Sequence, residues 1–124
     1  MSSVIHHRHA HLDWYEEFCQ RLEALRVNAP KYADKDEVIP PDWAFLKVRN
    51  EVQNIRQLAG FPTVPVPDVW LGPEGDIGLT WDAGERSFDL IFGWGRFTAR
   101  LSDDSKQELI EQKDVPLILA QLAA

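Results

Sequence analysis

The sequence predicts an α+β fold in which two N-terminal helices and a short C-terminal helix pack on one face of a three- to four-stranded antiparallel β-meander. Three observations carry this expectation. Apolar residues between positions 12 and 59 recur at three- and four-residue spacing, residues 66–101 switch to period-two alternation broken by glycine-containing turns, and the final DVPLILAQLAA returns to a helical pattern. With 124 residues, 44% of them hydrophobic and 27% charged, the chain suits one globular core. A single domain over 1–124 is expected, divided into a flexible arm (1–11), a helical part (12–60), a proline-rich connector (61–67) and the meander with its C-terminal helix (68–124).

In the first helix, expected from Leu12 to Arg26, the residues Leu12, Tyr15, Phe18, Cys19, Leu22 and Leu25 share one face, and Asn28, Ala29 and Pro30 are expected to end it. KYADKDEVIPP is polar, charged and closed by two prolines, so it reads as a loop. The second helix, with Asp42 as its cap, buries Phe45, Val48, Val52, Ile55 and Leu58 and stops at Gly60. Prolines 62, 65 and 67 then favour an extended connector into an edge strand.

Pairing register follows from the turns. A two-residue Trp94-Gly95 loop pairs Phe92 with Phe97, Leu90 with Ala99 and Phe88 with Leu101, and sets Asp89 opposite Arg100 on the other face. An Ala83-Gly84 loop would likewise set Leu79 beside Phe88 and Ile77 beside Leu90, and GPEG at 72–75 would join a short strand at 68–71 to the first alternating run. KQELIEQK fits either a last strand or a helical turn, the strand being preferred because the next segment already forms a helix with Asp114 as cap and Pro116 in its first turn. The outward face, with Thr80, Asp82, Ser87, Asp89, Ile91, Arg96, Thr98 and Arg100, is mixed and polar, and Gly78 should leave a shallow notch in it.

The net charge is −7, and residues 62–124 hold 11 Asp and Glu against 5 Lys and Arg. Such a field repels nucleic acid and attracts basic partners. No apolar run reaches the roughly 20 residues of a membrane span, the N-terminus lacks the pattern of a secretory signal, and Cys19 is the only cysteine. A cytoplasmic protein without a membrane partner or disulfide is therefore expected.

The run PDVWLGPEGDIGLTWDAGERSFDLIF resembles a pattern in many small uncharacterised bacterial proteins: an acidic-glycine turn, an I-x-L-x-W strand and a second strand after a short turn. The matching residues are Pro67, Pro73, Glu74, Gly75, Ile77, Leu79, Trp81, Gly84 and the alternating Phe88, Leu90 and Phe92. The resemblance covers about a third of the chain and implies a meander flanked by helices. It implies no catalytic residue.

Candidate sites are few. His6, His7, His9 and His11 cluster near the N-terminus, and His7 with His11 would share a face if the first helix began early, but a frayed terminus gives imidazoles no fixed geometry, so no metal or other cofactor is expected. Cys19 lies on an apolar helix face, which fits a structural thiol. The carboxylates form no acid-base motif, and GWG and GPEG lack the helix and lysine of a phosphate loop. Trp94, between two glycines at a hairpin tip, is expected to project as an interface anchor, with Glu74, Asp76, Asp82, Glu85 and Arg96 supplying charge around it. The expectation is a small acidic, non-catalytic interaction factor of bacterial or phage origin, an inhibitor, immunity or antitoxin-like protein that engages a basic protein surface, in one version as a nucleic-acid mimic. A small enzyme built from scattered carboxylates, or a homodimeric structural subunit, would be the alternative.

Overall fold

The computed structural model describes residues 13–33, 36–93 and 95–123. Helix α1 spans Trp14–Tyr32 and α2 spans Asp42–Leu58. Five strands follow, β1 (Asp68–Leu71), β2 (Ile77–Ala83), β3 (Arg86–Gly93), β4 (Arg96–Ser102) and β5 (Gln107–Ile110), then a 3-10 turn at Gln112–Asp114 and helix α3 at Val115–Leu122. The strands pair in chain order as one antiparallel sheet, so the α+β class holds with one strand more than the three or four expected. Among the described residues no helix is long and apolar enough to cross a membrane.

One face of the sheet carries the core. Ile77, Leu79, Trp81, Phe88, Leu90 and Ala99 are buried against Trp14, Phe18 and Leu22 of α1, Phe45, Val48, Val52 and Ile55 of α2, and Val115, Leu119 and Leu122 of α3. Trp81, with no exposed surface, meets Trp14 edge to face at 5.7 Å and Phe88 at 6.0 Å. Trp14 also donates its indole N–H to the Pro62 carbonyl at 2.9 Å, which ties the start of α1 to the chain leaving α2. Nearby, the Arg56 guanidinium lies over the rings of Tyr15 and Phe61 and pairs with Asp13, the residue whose carboxylate caps α1 by accepting the Tyr15 N–H.

Several helix boundaries differ from the sequence expectation. Helix α1 runs on through Pro30 to Tyr32, because a proline this close to the C-terminus removes only one hydrogen bond and the buried Ala29 holds the last turn against the core. Asp42 does not cap α2: Pro41 occupies that position, and the Asp42 carboxylate instead accepts from Arg26 at 3.2 Å. Asp114 flanks α3 without a side-chain cap bond. Leu58, expected in the α2 stripe, is 67% exposed, while the neighbouring Ala59 packs against the core in its place.

The β3–β4 register is the expected one, with Phe92 opposite Phe97 and Asp89 opposite Arg100. The β2–β3 register is displaced by two residues: Leu79 faces Leu90 and Trp81 faces Phe88. The reason is turn chemistry. The loop residues are Gly84-Glu85, closed by Ala83 and Arg86, so that glycine takes the first central position at φ +69, where Ala83 would have been strained. A two-residue slip preserves side-chain parity, so the apolar face is unchanged.

The outward face holds a polar ladder across four strands. The Trp70 indole donates to Thr80 Oγ1 at 3.0 Å, the Thr80 hydroxyl donates to Asp89 Oδ1 at 2.7 Å, and Arg100 donates to Asp89 Oδ2 from Nη2 at 2.8 Å. Asp89 is buried even though its face lacks a helix, because these neighbours cover it. The notch expected at Gly78 is filled: Trp70 lies over that backbone, and a Cβ there would overlap its ring.

Gly78→Ala should therefore destabilise the fold by about 1–3 kcal/mol, as other overpacked sites do. Most of that loss should disappear in the Trp70→Ala background, and equal losses in both backgrounds, measured by denaturant unfolding, would contradict the packing. Tyr15 gives a second expectation. Burial, followed by its hydrogen bond and charge interaction with Cys19, pushes its hydroxyl pKa up, while that hydroxyl donates to the Arg49 carbonyl at 3.0 Å. The raised folded-state pKa contributes stability that is present below the usual value near 10 and is lost as the pH rises beyond it. Tyr15→Phe should flatten the fall in unfolding free energy above about pH 10.

Candidate binding recess

The meander's turns alternate between the two ends of the sheet, and this separates the residues expected to act together. The β1–β2 turn (72–76) and the β3–β4 hairpin lie at one end, the β2–β3 and β4–β5 turns at the other. Glu74 is exposed on the first of these turns, and Asp76 is partly buried beside it. The Asp76 carboxylate packs over the outer side of the hairpin, 2.8 Å from where a Cβ of Gly93 would stand, so its role is to seat one turn on the other. Arg96 opens β4 opposite Gly93. Asp82 and Glu85 are exposed at the far end, about 20 Å away by strand rise, and share no surface with Glu74. Trp94 lies outside the described residues, as do His6, His7, His9 and His11.

At the Glu74 end, between α2 and the sheet, a recess of about 290 Å³ opens on the inner side of the hairpin. Its floor is Val48, Ile77, Phe92 and Phe97, its rim includes Trp43, Lys47 and Glu51, and the backbones of Gly75, Gly93 and Gly95 and the side chain of Gln112 complete the wall. Phe92 and Phe97 are a cross-strand pair stacked at 4.9 Å with 29° between their planes. Period-two alternation puts both rings on the inner face, but α3 and α2 leave them partly uncovered at the sheet's end.

Trp43 is 57% exposed and also borders a second hollow, between α1 and α2, that is lined by Cys19, Arg26, Leu46 and Arg49. It thus forms a ridge between the two. Val38, Ile39 and Leu46 are exposed as well, so that four of the nine large apolar side chains exposed among the described residues fall within residues 38–46. The loop that carries Val38 is fixed in place: its N–H donates to the Pro73 carbonyl at 2.9 Å, which holds it beside the Glu74 turn. On the α1 side of the second hollow, the hydrogen bond from Arg26 holds the Glu23 carboxyl below the usual carboxylate range.

The sequence reading did not single out Trp43, although a signal for it exists. The buried stripe of α2 is Phe45, Val48, Val52 and Ile55, and an indole standing off such a stripe must face outward. Cys19, expected as a structural thiol, is partly buried on α1 and packs against the core. Among the described residues no group of three or more His, Cys, Asp or Glu side chains is arranged to hold a metal ion. No protein family, curated protein or solved structure matches the chain.

The arrangement can make apolar contact, offer ring faces to a cation and supply one carboxylate, Glu51, and one ammonium, Lys47, from successive turns of α2. Trp43→Ala should change unfolding free energy by no more than about 0.5 kcal/mol, as at other exposed positions, whereas Phe97→Ala should cost about 2–4 kcal/mol by opening the stacked pair. Comparable losses in the two variants, measured by urea titration, would show that Trp43 belongs to the core.

Proposed function

We propose that this chain is a non-catalytic protein-interaction factor of the inhibitor, immunity or antitoxin-like kind, and that it docks its partner through Trp43 and the recess beside it. Exposed Trp43 on the rim of that recess, with exposed Leu46 in the hollow on its other side and exposed Val38 and Ile39 on the loop before α2, carries the reading. Exposed apolar side chains scattered singly are ordinary on a protein surface, but four within nine residues of sequence, one of them an indole beside a recess, are costly to keep in water, and exposed tryptophans are common in binding hot spots. Tryptophan suits the task because it buries a large area with few rotatable bonds.

The net charge of −7 supports a partner with a basic surface, since complementary charge accelerates encounter and disfavours acidic competitors. In this reading the acidic turns steer and the apolar patch holds. Volume supports the same view: about 290 Å³ lies at the lower end of small-molecule pockets, enough for a side-chain anchor and small for a nucleotide-sized cofactor.

The test compares wild-type protein with Trp43→Ala, each immobilised and exposed to lysate of the source organism, with quantitative mass spectrometry of what is retained. A reproducible partner should fall by about tenfold or more on the variant. Identical recovery on both would refute docking through Trp43.

A further inference from the structure

We infer that, apart from any partner held at the recess, β5 is an edge at which a second copy of this chain pairs antiparallel about Leu109, joining two meanders into one sheet. The two edges of the sheet are built differently. At β1, α1 packs alongside, Arg21 donates to the Pro67 carbonyl at 3.2 Å and lies 3.5 Å from the Asp68 carboxylate, and prolines 62, 65 and 67 interrupt the approach. At β5 no described strand lies beyond, the 3-10 turn that follows packs back on β4, and Gln107, Glu108 and Leu109 are exposed. Leu109 is 75% exposed, more than any other large apolar side chain among the described residues. A leucine held out to water on an open strand edge is what sheets avoid unless another strand covers it.

Backbone alternation leaves a defined set of groups at this edge. The β3–β4 hairpin is closed by Gly93 opposite Arg96. The closing pair of a two-residue hairpin exchanges hydrogen bonds, so Arg96, Thr98 and Arg100 turn their N–H and C=O groups to β3, while Ala99 and Leu101 turn theirs to β5. Opposite Ala99 and Leu101 stand Ile110 and Glu108, and the Asp103 N–H, donating to the Lys106 carbonyl at 3.0 Å, keeps the same alternation. Gln107 and Leu109 therefore point their backbone groups away from β4, and Glu111 continues the extended path at φ −67, ψ 145.

Register is what selects a second copy. A two-fold axis perpendicular to the sheet keeps both inner faces on one side, so only residues of equal parity can stand opposite one another. Centred on Leu109, the pairing sets Leu109 against Leu109, Glu108 against Ile110 and Gln107 against Glu111. It forms two hydrogen bonds between the facing Leu109 residues and one from each Glu111 N–H to a Gln107 carbonyl. Centred on Glu108 it would set two carboxylates face to face, and centred on Ile110 it would set Leu109 against Glu111. So short a contact buries less than the roughly 1,200–2,000 Å² of stable complexes, which makes the dimer weak. With −7 on each copy, it tightens as salt screens the repulsion.

Sedimentation of the full-length protein from about 20 μM to about 1 mM should show a monomer–dimer equilibrium that moves toward dimer as salt rises from about 0.05 M to about 0.5 M. Over that concentration range hydrogen exchange at the Leu109 and Glu111 amides should slow by about tenfold or more, whereas Glu108 and Ile110, already bonded to β4, should change little. Leu109→Cys should give a disulfide-linked dimer on mild oxidation, because facing residues of a hydrogen-bonded pair lie about 5.5 Å apart. Wild type, whose only cysteine is Cys19, and Glu108→Cys should not.

Leu109→Pro removes an N–H that does not serve β4, and Leu109→Lys sets two ammonium groups face to face on an unaltered backbone. Each should keep the fold and weaken the dimer by at least about tenfold. A protein that stays monomeric at about 1 mM in high salt overturns the inference. A dimer that Leu109→Lys leaves untouched also overturns it, and if Trp43→Ala weakens that dimer the second copy sits at the recess. Linkage through Glu108→Cys in place of Leu109→Cys overturns the pairing about Leu109.

Discussion

The edge-to-face contact of Trp14 with Trp81 is the interaction on which the arrangement turns. Trp81 is the largest side chain on the inner face of the sheet and has no exposed surface, so it must be covered, and truncating such a residue typically costs about 3–5 kcal/mol. Trp14 covers it and, through its N–H to the Pro62 carbonyl, also fixes where the chain leaves α2. That one residue therefore aligns α1, the end of α2 and the central strands. The Trp81 indole N–H has no acceptor among the described residues, a cost the apolar burial outweighs.

The two faces of the sheet solve different problems. Inside, large apolar residues at alternate positions meet helices. Outside, where strands β2 to β4 have no covering helix, the ladder of Trp70, Thr80, Asp89 and Arg100 crosses from strand to strand and satisfies its own polar groups. Arg100 has 36% of its side chain exposed while Asp89 keeps only 11%, so the pair is screened less than a surface ion pair and helps pin the β3–β4 register. The same ladder explains why this face, polar in composition, contains a buried carboxylate.

The recess lies between the first turns of α2 and the end of the sheet, where Phe92 and Phe97 stay partly uncovered. The stacked Phe92 and Phe97 pair faces the first turns of α2 across this hollow, and Trp43 stands at its rim. The glycines at 75, 93 and 95 keep the wall low. In the docking reading proposed above, the contact surface is packing left incomplete at this end of the sheet.

Local rules made much of the fold legible: helical spacing marked Phe45, Val48, Val52 and Ile55, alternation marked the inner face, and the Trp94-Gly95 turn gave the β3–β4 pairing residue by residue. Those signals act over a few residues and survive any tertiary setting. The β2–β3 register was recoverable in principle from the preference of glycine for the first loop position. Other features depended on which elements meet. That Trp70 fills the space over Gly78, that Glu74 lies about 20 Å from Asp82 and Glu85, and that Phe92 and Phe97 open into a recess beside Trp43 are facts about strand order and helix length. The sequence by itself determined which residues turn inward, because periodicity is a local property of the backbone. Only the tertiary structure decided where the inward face stays uncovered, because that depends on how far distant segments reach when packed together.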